Sequence, residues 1–170
     1  LPILFTVADD AYGWIWVGTA DSGLNRFDMV NGTFKHYSLK EGLPSATIRS
    51  LLADSDGRLW VGTTAGLAWF DREKEIFIPV KSTGSTTIRV LVEETDGSLL
   101  VGTEGRGAYR LNRRSGSAVR LDLGQGSETL VIRAFVVDMD GRLWVGTDDR
   151  GLLVIDPATG STSKIGRAHV

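Results

Sequence analysis

The stretch that decides the fold is Asp54-Ser-Asp-Gly-Arg-Leu-Trp-Val-Gly-Thr, residues 54–63, because its pattern recurs along the chain. The tripeptide Val-Gly-Thr occurs four times, at spacings of 44, 40 and 44 residues, beginning at Val17, Val61, Val101 and Val145. A tryptophan precedes three of these copies, and Leu100 precedes the third. Self-similarity at a nearly fixed period is the sequence signature of a repeat architecture. The chain is therefore predicted to consist of four copies of one unit.

Each unit is predicted to form four short antiparallel strands. In the second copy these strands are about Ile48–Asp54, Leu59–Thr63, Leu67–Phe70 and Ile76–Val80. Asp56-Gly57 lies between two apolar runs and predicts a hairpin with a type I′ turn, which needs a positive φ at both central residues. Several strands are apolar at successive positions, which is typical of a sheet covered on both faces. No stretch has the sustained periodicity of a helix.

Four-stranded units of about 40 to 45 residues that stack face to face are the blades of a β-propeller. The predicted fold class is all-β, a β-propeller of four consecutive four-stranded blades at about residues 1–40, 41–82, 83–125 and 126–164. A solenoid of sheets would satisfy the same burial, but four strands per repeat favour blades. Blades of this type more often close into rings of more than four. We therefore expect an open partial ring whose end blades expose apolar faces.

Both ends of the chain carry signs of a fragment. Residues 165–170 read Ile-Gly-Arg-Ala-His-Val and resemble a translated sequencing adapter, so we expect them to be non-native. The natural protein is then expected to continue beyond Lys164. The chain begins with Leu1 rather than Met, so its natural start is expected upstream.

The composition argues against several functional classes. The net charge is −2 and no basic run is present, so neither nucleic acid nor an anionic membrane is an expected partner of this segment. Cysteine is absent and His36 is the one histidine outside the last six residues, so no metal site, cofactor or Ser-His-Asp triad is predicted. The Asp-x-Asp-Gly sequences at Asp54 and Asp138 resemble the start of a calcium loop. They lack its further ligands and are interpreted as turns.

The residues that recur in each unit are interpreted as structural. A tryptophan at one strand position in several blades is expected to fill the gap between neighbouring blades rather than to stack on a sugar or base. The glycine of Val-Gly-Thr is expected to mark the close approach of another chain segment. The residues concerned are Trp16, Trp60, Trp144, Gly18, Gly62, Gly102 and Gly146. Trp14 and Trp69 break the repeat and are interpreted as packing or rim residues.

The candidate binding residues lie at one mouth of the predicted central channel. Arg49, Arg89 and Arg133 begin the first strand of three units, and if that strand is innermost they converge near the mouth. Converging arginines suit a carboxylate, sulfate or phosphate group. The alternative is a solvated rim in which each arginine pairs with a local acid. Variable loops on the same mouth add further candidates, because loops on a rigid scaffold carry recognition residues: Asp21, Ser22, Glu104, Arg106, Asp148, Asp149 and Arg150.

Residues 42–67 resemble the two-component regulator propeller repeat. They contain its Gly-Leu linker, an inner strand, Asp-x-Asp-Gly, Trp-Val-Gly-Thr and a second Gly-Leu, and Asp71 closes the unit. All four units follow this pattern, although the third lacks the tryptophan and the first lacks the Asp-Gly turn. The resemblance implies the periplasmic sensor region of a bacterial membrane receptor. In that family the repeats lead to a β-sandwich domain, a membrane helix and a cytoplasmic histidine kinase or diguanylate cyclase.

The expected function is a ligand-sensing segment of a bacterial signal-transduction receptor of the two-component type, not itself catalytic. The resemblance implies a periplasmic location in a parent anchored in the inner membrane, and an oligosaccharide or other small ligand. Further blades and downstream domains of the same chain are expected partners, and the parent receptor could be a dimer. Two alternatives stay open. One is a protein-interaction scaffold, and the other is a propeller enzyme such as a lyase or glycosidase.

Overall fold

The computed structural model describes residues 3–166, which form sixteen strands in four separate antiparallel sheets. Each sheet is a meander and is called a blade below. Blade 1 consists of β1 (Leu4–Asp9), β2 (Trp14–Thr19), β3 (Leu24–Asp28) and β4 (Thr33–Tyr37). Blade 2 consists of β5 (Ile48–Ala53), β6 (Leu59–Thr63), β7 (Gly66–Asp71) and β8 (Ile76–Pro79). Blade 3 consists of β9 (Ile88–Glu93), β10 (Leu99–Thr103), β11 (Ala108–Leu111) and β12 (Ala118–Arg120). Blade 4 consists of β13 (Ile132–Val137), β14 (Leu143–Thr147), β15 (Gly151–Ile155) and β16 (Thr162–Gly166).

The four-bladed all-β propeller prediction is confirmed. The first strands of successive blades contact one another, β1 with β5, β5 with β9, and β9 with β13, so they form the inner wall. Among the described residues helix is limited to three single 3₁₀ turns after the outer strands, at Leu39–Glu41, Lys81–Thr83 and Ser127–Thr129. No helix in residues 3–166 has the length and apolar character needed to cross a bilayer.

Three apolar clusters hold the blades together, one at each junction. Between blades 1 and 2, Trp16 packs edge-on against Phe70 with ring centres 5.0 Å apart, and Tyr37 packs in the same cluster. Trp60 anchors the junction of blades 2 and 3. In blade 3 the buried Leu100 stands where the other blades have tryptophan, and it joins the cluster shared with blade 4. Blades 2 and 3 each lie between two other blades. Their second strands, β6 and β10, are buried at every residue, as the run of apolar positions predicts.

The glycine of Val-Gly-Thr gives each junction its close fit. A Cβ built on Gly18 would lie 2.6 Å from Cγ2 of Ile48 in the next blade. The same construction on Gly102 meets Ile132 at 2.7 Å. Each glycine thus leaves room for the first residue of the next inner strand, and any side chain there would push the blades apart.

The ring is open, as expected. Within the described residues no apolar cluster joins blade 4 to blade 1. Apolar side chains on the end blades remain exposed instead, among them Leu4 at 58%, Phe34 at 74% and Val136 at 58%. Ile165 and Gly166 belong to β16, while residues 167–170 of the predicted adapter sequence lie outside the described residues. Their non-native origin stays a prediction.

The hairpin at Asp56-Gly57 forms where it was predicted, but the type I′ assignment is wrong. Gly57 has a φ of 78°, whereas Asp56 does not have a positive φ. The Gly57 N–H donates to the Asp54 carbonyl at 2.8 Å and the Asp54 N–H to the Arg58 carbonyl at 2.9 Å. This is the three-residue loop with glycine in the left-handed position. The Asp54 carboxylate selects it by accepting the N–H groups of Asp56 and Arg58.

Candidate functional site

The candidate site is the edge of the molecule at which the inner strands begin and the second strands end, which we call the mouth. Register places the two together, because Ile48 pairs with Thr63, and Ile132 pairs with Thr147. Hydrogen bonds then tie the mouth loops to the linkers between blades. The Gly23 N–H donates to the Ala46 carbonyl at 2.8 Å, and the Gly107 N–H donates to the Leu130 carbonyl at 3.0 Å.

The threonine of Val-Gly-Thr shapes the loop that follows it on the mouth. The Thr103 hydroxyl donates to the Gly107 carbonyl at 2.7 Å and accepts the Arg106 N–H at 3.0 Å. The Thr147 hydroxyl makes the same pair of bonds with Gly151 and Arg150. The repeated threonine thus closes a loop whose other side chains are free to vary. The mouth is a rigid scaffold that carries variable residues.

The structure brings the three predicted arginines to the mouth, at the second residues of β5, β9 and β13. Arg89 pairs with Glu104 of its own blade at 2.8 Å. The hydrogen bond from Arg89 holds the pKa of Glu104 below its usual value, and the charges of Arg49 and Arg133 lower it further. Arg133 forms a two-pronged bond to Asp148 of its own blade and lowers the pKa of that carboxyl. The positive charges of these arginines therefore lower the pKa values of Glu104 and Asp148.

Arg49 differs from its two counterparts. Thr64 occupies in blade 2 the position that the acids Glu104 and Asp148 hold in blades 3 and 4. Arg49 makes no ion pair with any described residue, and its buried Nε has no hydrogen-bond partner among them. Its guanidinium lies over the ring of Phe5, with Cζ 4.6 Å from the ring centre. Of these three arginines, two are therefore neutralised by acids of their own blade, and Arg49 alone keeps unpaired donors.

The remaining predicted loop residues also lie on the mouth, but they do not converge on one point. Asp21 is exposed in the loop after β2 and accepts a hydrogen bond from the Ser22 hydroxyl at 2.8 Å. Arg106 points toward Gly84 in the linker between blades 2 and 3. Arg150 points toward Gly126 in the next linker. Asp149 is exposed beside Arg150. These residues line the rim outside the arginines.

The opposite edge carries a set of polar contacts that the sequence reading missed. The indole N–H groups of Trp16, Trp60 and Trp144 donate to Asp10, Asp54 and Asp138, which lie six residues earlier. The signal was present, because the blade with Leu100 instead of tryptophan has Glu94 at that position. Burial alone would raise the pKa of Asp54, but the bonds from Trp60 and Arg58 and the contact with Arg113 lower it. Hydrogen bonding from the indole, above all, lowers the pKa of Asp138 to about 2.

Arginines from the following blade complete two of these contacts. Arg72 of blade 2 reaches Asp10 of blade 1 at 3.1 Å. Arg113 of blade 3 reaches Asp54 of blade 2 at 2.9 Å and Glu93 at 3.0 Å. These are junction contacts between blades, not a binding site. The Asp-x-Asp-Gly sequences thus form turns that bind the indole and the next blade.

Trp14 and Trp69, the tryptophans outside the repeat, also lie toward the edge opposite the mouth. Two arginines stack on Trp14, with the Cζ atoms of Arg26 and Arg72 at 3.8 and 4.1 Å from its ring centre. Arg58 stacks on Trp69 at 4.4 Å. The faces of both rings are therefore occupied by arginine side chains through cation–π contacts.

No three His, Cys, Asp or Glu side chains in residues 3–166 are placed to hold a metal ion. The His36 ring lies 3.1 Å from the Asn25 side-chain oxygen, on the outer strand β4 of blade 1.

Comparison with known proteins agrees with the geometry. The family model of the two-component regulator propeller matches residues 42–65 and 126–149, in blades 2 and 4. The chain carries two-component regulator propeller repeats. Each matched segment contains an inner strand, its hairpin and the Val-Gly-Thr strand. A search of the curated proteins gives no match.

Solved structures share the fold at low identity. The extracellular domain of BT4673 from B. thetaiotaomicron, described as a one-component or hybrid two-component system, matches with a TM-score of 0.83 and 24% identity over 96% of this chain and 22% of its own. The corresponding domain of the hybrid two-component system BT3049 gives 0.76 and 22%, over 94% and 23%. Catalytically inactive virginiamycin B lyase from Staphylococcus aureus, solved with quinupristin, gives 0.75 and 13%, over 98% and 56%. At these identities the likeness shows the fold alone. The repeat-bearing chain spans under a quarter of each sensor domain.

Proposed function

We propose that the chain is a ligand-sensing segment of a bacterial signalling receptor, and that its mouth binds the anionic group of an oligosaccharide or other small ligand. The observation that carries the proposal is Arg49, a mouth guanidinium with no ion pair among the described residues. An arginine held on an aromatic ring keeps its fork of donors in place for a carboxylate or sulfate. Glu104 and Asp148 neutralise Arg89 and Arg133, so the three arginines and two acids leave one net positive charge, that of Arg49.

The receptor context rests on the family match. The propeller repeats, and the extracellular sensor domains that share the fold, favour a location outside the cytoplasm. In this proposal the segment is periplasmic and non-catalytic, in a parent anchored in the inner membrane. A histidine kinase or diguanylate cyclase provides the output.

Signal transfer in this proposal uses the loops of the mouth. Arg49 lies on the inner strand of blade 2, and the loop after β2 in blade 1 is hydrogen-bonded to the linker between these blades. A ligand bound at Arg49 would therefore lie against the inner strand of blade 2 and beside the loop after β2 of blade 1, so it would touch both blades. Binding that favours one relative placement of the blades shifts the receptor toward that state.

The test is a binding titration with a uronic-acid oligosaccharide, its sulfated counterpart and a neutral oligosaccharide of the same length. We expect the two anionic probes to bind and the neutral probe not to bind. Arg49→Ala should weaken binding roughly 10- to 100-fold, because a hydrogen bond to a charged group contributes about 1.5–3 kcal/mol. Arg49→Lys should restore only part of the affinity, since lysine lacks the fork.

The matched control is Arg114→Ala, which removes the same charge from the β11–β12 hairpin at the edge opposite the mouth. It should leave affinity within about twofold at 0.15 M salt, where charges far apart are screened. Equal losses in the Arg49 and Arg114 variants would indicate a non-specific charge effect. Binding of none of the probes would favour a protein-interaction scaffold.

A further inference from the structure

A β-bulge recurs near the start of every inner strand. In each blade the pairing of the first two strands skips one residue there, and the skipped residues are Phe5, Arg49, Arg89 and Arg133. A bulge leaves its extra residue unpaired and can re-aim that side chain. Three of the four skipped residues are the arginines of the mouth, so one local feature of the repeat places them there.

The residue that follows Val-Gly-Thr is also held in the same way in every blade. Its N–H donates to the carbonyl of the residue just before the inner strand, at 2.9 to 3.2 Å. The donor and acceptor pairs are Ala20 and Ile3, Thr64 and Thr47, Glu104 and Thr87, and Asp148 and Val131. Because the backbone is fixed alike, the side chains of Thr64, Glu104 and Asp148 leave equivalent points of the mouth.

The bulge residue and the residue after Val-Gly-Thr form one pair of positions per blade, and the four pairs differ in charge. Blade 1 has Phe5 and Ala20, which are both uncharged. Blades 3 and 4 each have an arginine joined to an acid. Blade 2 has Arg49 and Thr64, a cation without an anion. The inner strands on both sides of β5, β1 and β9, are present in the structure, so the neighbours of this pair are described.

Thr64 has hydrogen-bonding capacity to offer an anion. Its hydroxyl lies 2.8 Å from the hydroxyl of Ser45, which accepts the Thr47 N–H at 3.1 Å. Two hydroxyls that share one hydrogen bond use one of their two hydrogens, which leaves the other for a further acceptor. The buried Nε of Arg49 has no hydrogen-bond partner among the described residues. Both members of the blade 2 pair therefore have unused donors.

We propose that a carboxylate of the ligand takes the place of the acid that blade 2 lacks, bound by the Arg49 guanidinium and the Thr64 hydroxyl. This binding mode rests on the proposed function and makes Thr64 the residue that admits a ligand acid. The two-pronged bond of Arg133 to Asp148 shows the contact expected, because a planar carboxylate matches the guanidinium fork. The chain's own acids fill the equivalent places in blades 3 and 4, so each chain takes up one carboxylate at these arginines.

The first test supplies the missing acid within the chain. In Thr64→Asp the new carboxylate should pair with Arg49 and fill the site, so binding of the uronic-acid oligosaccharide should weaken roughly 10- to 100-fold, as in Arg49→Ala. Thr64→Asn has the same size without the charge and should weaken binding less than about fivefold, since only a neutral hydrogen bond is altered. The matched control is Thr95→Asp, which adds the same charge to the exposed β9–β10 hairpin at the opposite edge. It should leave affinity within about twofold at 0.15 M salt.

The reverse change should create a second site. Glu104→Thr gives blade 3 the arrangement of blade 2 and frees Arg89 from its acid. The probe is a disaccharide with a single uronic-acid carboxylate, so that one molecule cannot bridge two arginines with two charges. Its titration should give two sites per chain instead of one. A count that stays at one in the folded variant would contradict the equivalence of the two positions and overturn the binding mode.

Urea denaturation gives a readout that needs no ligand. The new ion pair in Thr64→Asp should raise the folding equilibrium constant roughly two- to fivefold over that of Thr95→Asp. Weaker binding without this gain would show that the added charge repels the probe without pairing with Arg49, and would overturn the binding mode. Loss of binding in Arg49→Ala but not in Thr64→Asp would also overturn it, and would leave the proposed function intact. Failure of the unchanged chain to bind either anionic probe would overturn both.

Discussion

The repeated tryptophan makes two kinds of stabilising contact: its aromatic ring packs between blades, and its indole N–H donates a hydrogen bond. Trp60 is 1% exposed within the cluster between blades 2 and 3, and its indole N–H donates to Asp54 at 2.8 Å. Trp144 makes the same hydrogen bond to Asp138, but no following blade covers its ring. The two residues share one position in the repeat and one hydrogen bond, but only the ring of Trp60 is covered by another blade.

We predict that Trp60→Ala lowers the free energy of unfolding by about 3–5 kcal/mol, the usual cost of removing a buried aromatic ring. Trp144→Ala should cost about 1–2 kcal/mol, because less of its ring is removed from water. Urea denaturation of both variants, at concentrations low enough to keep the chain monomeric, measures the difference. Equal losses would show that the ring acts through its hydrogen bond and not through blade packing.

At the scale of the element, each blade is fixed to the next by an apolar cluster and, at two junctions, by an arginine. Arg113 is the strongest case, since its side chain is 12% exposed and pairs with Asp54 and Glu93 of two different blades. Removing one partner of a largely buried ion pair leaves the other charge without compensation. The junction of blades 2 and 3 therefore depends on the ionisation of Asp54.

This dependence predicts acid sensitivity with a definite sign. The pKa of Asp54 in the folded chain lies below the ordinary 3.8, so the unfolded chain takes up the proton first. The stabilisation is complete above the ordinary value and is lost as the pH falls below about 4. Urea midpoints measured from pH 6 downward should therefore decline less steeply in Asp54→Asn than in the unchanged chain. Parallel declines would contradict this role for Asp54.

Sequence alone predicted the elements well and the contacts between them poorly. The strand positions could be predicted from the Val-Gly-Thr repeat and the loop glycines. Both features act between residues that are close in sequence, within one hairpin. The type I′ assignment failed because the Asp54 carboxylate, not the Asp56-Gly57 pair, selects the turn. The pairing of Arg113 with Asp54 joins residues of different blades. Such a contact becomes visible only once the blades are stacked.

At the scale of the whole molecule, the fold was predictable and the site only in part. The open arc was predicted because blades of this type more often close into rings of more than four. The placement of Arg49, Arg89 and Arg133 at the mouth followed from the inner position of the first strand. Of these three arginines only Arg49 lacks an ion pair among the described residues, because Thr64 stands where the other two blades have an acid. This difference has meaning only after the register is known.

The central claim, a propeller segment of a signalling receptor, is tested most directly by sequencing the complete gene from which the chain derives. The account predicts further propeller repeats, then a segment long and apolar enough to cross the inner membrane, then a histidine kinase or diguanylate cyclase. A reading frame that ends with the propeller, with no membrane segment and no output domain, would contradict it.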